Sequence, residues 1–329
     1  MSPAALASLS DALFSTSIAV YSLALVGYCA ELAFGRRAQN AGSELQVPAA
    51  AAAGRHSTAV LASVSVPGVD QEPRAGRPAT VGRVAVGLTV IAALAQAGVL
   101  LTRGLATQRL PWGNVYEFGT AVVLVAVVTF LVAVDRVPGS RRLGAFVVGP
   151  AALSLVLVGL LLYAPAGPLV AALRSAWLGV HVTAAVLGFG TFMVSGIANA
   201  LYLLRLRSDA RPADTASGEG TWLSRLPSAE TFDRVGHRTA VFGFPIWTFA
   251  VIAGAIWAES AWGRFWGWDP KETWAFIAWV IYAAYLHARS TAGWRGRRAA
   301  WINLVGLTAM IFNLLYVNYV ATGLHSYAG

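Results

Sequence analysis

The chain predicts an all-α integral membrane protein with about eight transmembrane helices, and two observations carry that fold class. Hydrophobic residues make up 57% of its 329 residues, charged residues only 12%, and the mean hydropathy is +0.61. A soluble domain cannot hide that much apolar surface. Apolar windows also recur at lengths that cross a ~30 Å hydrocarbon core at ~1.5 Å per residue. Eight such windows lie at about 13–34, 84–102, 116–134, 143–163, 176–204, 239–258, 270–288 and 299–321. Val84–Leu101 and Thr239–Ala258 hold no charged side chain at all.

The first window has no basic residues ahead of it and no clear small-residue cleavage site, so residues 1–35 read as a span that stays. It contains Cys29, the one cysteine, which is expected to be a small packing residue. A single thiol excludes a CxxC redox pair or a cysteine zinc site within the chain. Residues 36–83, rich in Ala, Pro, Gly and Ser with scattered arginines, read as a flexible cytoplasmic linker. The remaining spans form one helical domain, 84–329, interrupted at 205–235 by a polar loop. The end of that loop, Leu223 to Arg238, is expected as a short interfacial helix. No internal repeat is evident.

Charge sets the orientation. With the N-terminus outside, 19 of the 24 Lys and Arg fall in inner loops, and only Arg103, Arg109, Arg174, Arg264 and Lys271 fall outside. This positive-inside bias predicts an N-out, C-out topology. The net charge of +9 therefore reflects membrane insertion, and no nucleic-acid partner is expected. Three segments share the outer side: Pro111–Phe118, the stretch between spans six and seven, and the tail Gly323–Gly329.

The stretch Trp262–Trp274 is the most informative. It places Trp262, Trp266, Trp268 and Trp274 with Phe265 in thirteen residues, beside Trp257. Single indoles belong to the interfacial belt. Grouped, with Gly263 and Gly267 removing side chains between the rings, they suit a large planar ligand. Asp269-Pro-Lys-Glu272 reads as a capping box with a proline start to span seven. The firmly held N-terminus would favour an anionic group such as a haem propionate. Lys271, the only lysine, either pairs with such a group or lies at the interface.

Of five histidines, His56 falls in the linker and His237 at the inner start of span six, where structural roles are the simpler reading. His181, at the outer end of span five, and His325, just past span eight, share the face of the indoles. Six-coordinate haem iron takes two axial ligands of this kind. His287 lies about 21 Å down span seven from its outer start, at ~1.5 Å per residue. An ionisable group at that depth is a functional candidate by default. Either a partner supplies a second ligand facing it, or it is a packed, hydrogen-bonded residue near Arg289.

These residues carry a resemblance. The strings are Trp262-Gly-x-x-Trp266-x-Trp268-Asp-Pro-Lys-Glu-Thr-Trp274, Trp279-x-x-Tyr282-x-x-Tyr285-Leu-His287-x-Arg289 and Gly323-Leu-His-Ser-Tyr327. Weaker ones are Asn114-x-Tyr-Glu-Phe118 and Trp177-Leu-x-x-His181-Val. The chain, over about 84–329, resembles the tryptophan-rich WWD haem-handling proteins of c-type cytochrome maturation. It is most similar to the CcsA-type subunit (CcsB or ResC in some bacteria) of the System II cytochrome c synthase.

The resemblance implies a multi-pass protein of the plasma membrane that handles haem b as substrate at two sites. His287 would ligate haem within the membrane. His181 and His325 would ligate it at the outer face, under the WWD segment 257–274 with Asp269. It also implies a ResB-like membrane subunit, an apocytochrome c bearing CxxCH, and a thiol-reducing protein upstream. The activity implied is thioether attachment, shared with that subunit. Rival readings are a haem transporter or delivery subunit without attachment, a b-type electron-transfer cytochrome, and a scaffold that uses its indoles only as an anchor.

Overall fold

The computed structural model describes residues 1–34, 77–168, 173–210, 226–321 and 323–324. Among them the chain is helical, without strands. Eight long helices follow in order: α1 Pro3–Phe34, α2 Arg77–Thr107, α3 Val115–Arg136, α4 Gly144–Leu161, α5 Ala176–Asp209, α6 Ala229–Trp262, α7 Pro270–Ser290 and α8 Arg297–Tyr319. A 3-10 turn, Ser140–Leu143, leads into α4. Each apolar window of the sequence lies on one of these helices, and the chain is a multi-pass membrane protein. Seven are long and apolar enough by composition to cross a membrane, and α7 is the exception. Its Trp274, Trp279, Tyr282 and Tyr285, with charges at both ends, lower its hydropathy without shortening its 21 residues.

Several boundaries differ from those expected. α2 begins at Arg77, inside the segment read as linker; the rest of that segment, with His56, lies outside the described residues. Among the described residues no separate interfacial helix precedes span six, because residues 229–238 are the first turns of α6 itself, started by Ser228 accepting from Thr231 N. Cys29 is not a packing residue. The buried stripe of α1 runs Ser10, Phe14, Ser17, Tyr21, Ala24, Tyr28 and Glu31 at helical spacing, and Cys29 falls off that stripe, exposed.

The bundle has two halves, each knit by buried polar groups. In the first, Tyr21 donates to Gln96 Oε1 at 2.8 Å, and Gln96 donates to Thr120 O, joining α1, α2 and α3. In the second, Ser195 donates to Gly236 O and accepts from Asn303, joining α5, α6 and α8. Such bonds hold helices together where water cannot compete, each contributing about 0.6–2 kcal/mol. Phe192 and Tyr282 stack at 3.6 Å between ring centres, adding α7 to that core.

The two ends differ in chemistry. At one, Arg141 Nε donates to Glu31 at 3.0 Å, and Arg289 makes a two-pronged pair with Asp233, so the basic connections close on acidic helix ends. Of the three segments expected on the outer side, the first two gather at the opposite end, together with Gly323 and Leu324 of the third.

Candidate functional site

At that opposite end, α3, α5, α6, α7 and α8 splay around a cavity of about 1300 Å³ of empty space, its open mouth included. Its walls are mostly apolar and aromatic: Trp112, Phe118, Phe189, Trp247, Trp257 and Trp266, with Met310 and Leu314 from α8. His181 and Lys271 give it an imidazole and a cation.

His181 is held from two sides. Its Nδ1 lies 2.8 Å from Ala250 O on α6. A carbonyl only accepts, so Nδ1 carries the proton and the ring's lone pair belongs to Nε2. The imidazole also stacks on Trp257, 5.9 Å between centres and 9° between planes. Room for the ring comes from Gly254. A Cβ there would sit 2.7 Å from His181 Cε1 and 2.8 Å from Nδ1, closer than any packed side chain tolerates. A ring with its tautomer and plane set by a backbone carbonyl is the usual arrangement of a metal-ligating histidine.

The indoles separate into groups. Trp257 and Trp266 line the cavity. Trp262 packs edge-on against Trp257 at 4.8 Å between ring centres and lies under the Arg264 guanidinium, 5.5 Å from its ring centre. Trp268 stands 64% exposed, edge-on to Trp266 and to Phe276. Trp274 is packed against Phe312 of α8, away from the cavity lining. The glycines have tasks of their own. Gly263 ends α6 in the left-handed region (φ 69°), and Gly267 lets the Arg264 guanidinium lie across the backbone, where a Cβ would sit 2.1 Å away.

Asp269 and Glu272 form the expected capping box on α7. Glu272 does more than cap. Its carboxylate accepts from Arg264 at 2.9 Å, Gly267 N at 3.0 Å and Asp269 N at 3.1 Å. Asp269 Oδ1 accepts Lys271 N at 3.0 Å, while Oδ2 accepts Leu324 N at 2.9 Å and so ties the C-terminal segment to the start of α7. His325 follows that bond directly and lies outside the described residues.

The same device occurs at the start of α3, a local repeat that composition hides. Asn114 caps the helix by accepting Glu117 N at 2.8 Å. Glu117 accepts from Arg109 at 2.8 and 3.1 Å and from Gly113 N at 2.7 Å. In both loops an arginine, a capping Asn or Asp five residues on, and a glutamate eight residues on form one clamp, with a cavity tryptophan (Trp112 or Trp266) between the arginine and the cap. The signal was present as the spacing Arg-x4-(Asn/Asp)-x2-Glu. Trp247 and Gly254 carried no local signal; they join the site only because α5 and α6 pack face to face.

His287 stands apart from the cavity, on an exposed face of α7 near that helix's C-terminal end. Its ring has no hydrogen-bond partner among the described residues, whereas Arg289 turns inward to Asp233. The reading of His287 as a packed, hydrogen-bonded residue is therefore set aside. No cluster of three or more metal-ligating side chains occurs among the described residues.

Fold and site together define a multi-pass helical membrane protein whose cavity, at one end, is walled by indoles and holds an oriented imidazole. The chain belongs to the cytochrome c assembly protein family, and it is of the CcsA type. That family's profile matches residues 112–325, which takes in the second clamped loop, the first from Trp112 onward, His181, His287 and His325. The cytochrome c biogenesis protein CcsA of Gloeobacter violaceus is 35% identical over 289 aligned positions, covering 73% of this chain and 85% of the relative. Those of Guillardia theta and Synechococcus elongatus are 34% and 35% identical, covering 74% and 72% of this chain and 85% of each relative. The chain's role lies in the biogenesis of c-type cytochromes.

Proposed function

We propose that this chain is the haem-handling subunit of a cytochrome c synthase of the plasma membrane, presenting haem b at the outer face for attachment to the CxxCH motif of an apocytochrome. The observation that carries this reading is His181. Its plane and tautomer are set by Ala250 and Trp257, in the wall of an open cavity lined mostly by aromatic and aliphatic side chains. The donor set fits haem: one neutral imidazole, indole walls, and a chain end tied to Asp269 that carries a second histidine, His325. Haem supplies two vinyl groups, across each of which a cysteine S–H adds to give a thioether with no atom lost.

This chain's own contribution is positioning. His181 and His325 hold the iron, the clamped loops fix Trp112 and Trp266 against the macrocycle, and burial keeps water away. His287, exposed on α7, is offered to a ResB-like subunit that would complete an inner haem site. A thiol-reducing protein keeps the CxxCH cysteines reduced.

Co-expression with a ResB-like subunit and a CxxCH reporter, scored for covalently bound haem, tests the reading. His181→Ala and His325→Ala each abolish attachment and alter the haem spectrum of the purified complex. Gly254→Ala does the same by displacing the imidazole, with the fold intact. Full attachment in the His181→Ala variant would sink the proposal. Haem that is bound and passed on without thioether formation by the wild type would reduce it to delivery.

A further inference from the structure

One corner of the cavity is charged. Lys271 lines it, and its ammonium donates to Asn318 Oδ1 on α8, itself a buried side chain. No carboxylate lies within ion-pair distance of that ammonium among the described residues. Asp269 attracts the ammonium through space without reaching ion-pair distance, and the oxygens of both nearby acids are spent on other donors. Asp269 accepts the backbone N–H groups of Lys271 and Leu324, and Glu272 is held by Arg264, Gly267 N and Asp269 N. Two further polar groups at this cavity lack partners among the described residues. One is the buried indole N–H of Trp112, and the other is Oδ1 of Asn313, a side chain only 7% exposed.

An ammonium among aromatic and aliphatic walls is costly unless a counter-charge meets it. Apart from His181, Asn114, Asn313, Asn318 and the clamped Glu272, the rest of the lining is aromatic or aliphatic and suits a flat apolar body. An occupant that satisfies both has a planar apolar core with an anionic edge. We propose that Lys271, its ammonium steered by Asn318, is the subsite for a carboxylate on the edge of the planar ligand, with the Trp112 N–H as a second donor to that edge. An ordered water bridging to the carboxylate supplies the donor that Asn313 Oδ1 needs.

The inference rests on the haem reading and deepens it. There the carboxylates are the two propionates, which share one edge of the macrocycle, opposite the vinyl groups. Seating that edge at Lys271 turns the vinyl edge away from α7 and α8, so one lysine sets which side of the porphyrin an incoming thiol meets.

The test titrates the full-length chain, purified in detergent, with iron protoporphyrin and with its dimethyl ester, the same macrocycle without free carboxylates. Absorbance of the bound haem is the readout. The wild type binds the free acid roughly tenfold more tightly than the diester, the size expected of a charge-assisted hydrogen bond. Lys271→Met erases that preference by weakening the acid alone, and Lys271→Arg keeps most of it. Asn318→Asp places a fixed carboxylate on the ammonium and reproduces the loss; it serves where Lys271→Met does not fold. Equal binding of acid and diester by the wild type, or a parallel loss of both in Lys271→Met, overturns the subsite and leaves haem binding standing. A wild type that binds neither porphyrin overturns the haem reading, and the subsite with it.

Discussion

The loops 109–117 and 264–272 are built on one frame and differ in what hangs from it. Both use an arginine to hold a glutamate in the third helical position, and both let that glutamate gather a glycine N–H from the approaching chain. The first clamp is the more deeply set. Glu117 is fully buried, and Arg103 approaches it at 3.6 Å in addition to Arg109. Arg103 is itself buried, with its guanidinium 4.4 Å from the Tyr116 ring centre. Glu272 has Arg264 alone, 27% exposed. The second loop in turn carries more: Trp266 in the cavity, Trp268 outside it, and a cap whose spare oxygen holds the chain's end. The comparison separates scaffold from site. The clamp sets where a loop stands, and the residues between arginine and cap decide what it does there.

Depth predicts the largest effect. Glu117→Gln leaves two arginines facing each other in a buried pocket with no counter-charge, a loss of about 3–5 kcal/mol by analogy with broken buried pairs. Glu272→Gln strands one arginine that reaches solvent, and costs about 1–2 kcal/mol. Thermal unfolding of the full-length chain in detergent measures both. A Glu272→Gln variant as damaged as Glu117→Gln would show that burial does not rank the two clamps.

The contrast also marks what the amino-acid order makes legible. The capping box at Asp269 and Glu272 was readable because its bonds span three residues of one helix start. The partner arginine eight residues earlier was not, since nothing local says that a long side chain will fold back across a loop. Helix positions were readable from apolar windows alone, but not their ends. α6 runs past its membrane span at both ends, so the expected interfacial helix is continuous with it. Of the cavity, His181 and Trp266 were visible as chemistry. Trp247 and Gly254 were not, because a mid-helix indole and a helical glycine gain meaning only when α5 lies against α6. Cys29 shows the reverse error: a small apolar residue in a span suggested packing, and the phase of the helix turned it outward.

The next effect sharpens the difference between the two caps. Asp269→Asn keeps an oxygen for the helix cap, as Asn114 does in the first loop, but puts an amide where Leu324 N–H needs an acceptor. Helix stability changes by only about 1 kcal/mol. The tail that carries His325 is released, and limited proteolysis near the C-terminus accelerates while covalent haem attachment to a CxxCH reporter falls. Asn114→Asp in the first loop, which anchors no tail, leaves both readouts near wild type. Matching phenotypes for the two substitutions would mean that the bond to Leu324 does nothing the cap does not.

The smallest effect on stability falls at Trp268, and it bears on function most directly. Its backbone sits at φ 57°, a left-handed conformation that costs a side-chain-bearing residue about 1–2 kcal/mol. The bond from Thr273 Oγ1 to Trp268 O at 3.1 Å helps hold it there. The ring gains little in return, being 64% exposed and touching its neighbours only edge-on. Strain kept for so little packing points to a task for the indole beyond the fold. Trp268→Gly, which adopts that conformation freely, therefore leaves thermal stability unchanged or raises it by up to about 1 kcal/mol, while haem retention by the purified chain drops. Gln108, the other non-glycine residue at positive φ, precedes the first clamp and lies outside the cavity lining. Gln108→Gly gains similar stability and keeps its haem. Were Trp268→Gly to keep its haem as well, the strained indole would belong to the membrane interface, and the second loop would differ from the first only in the tail it anchors.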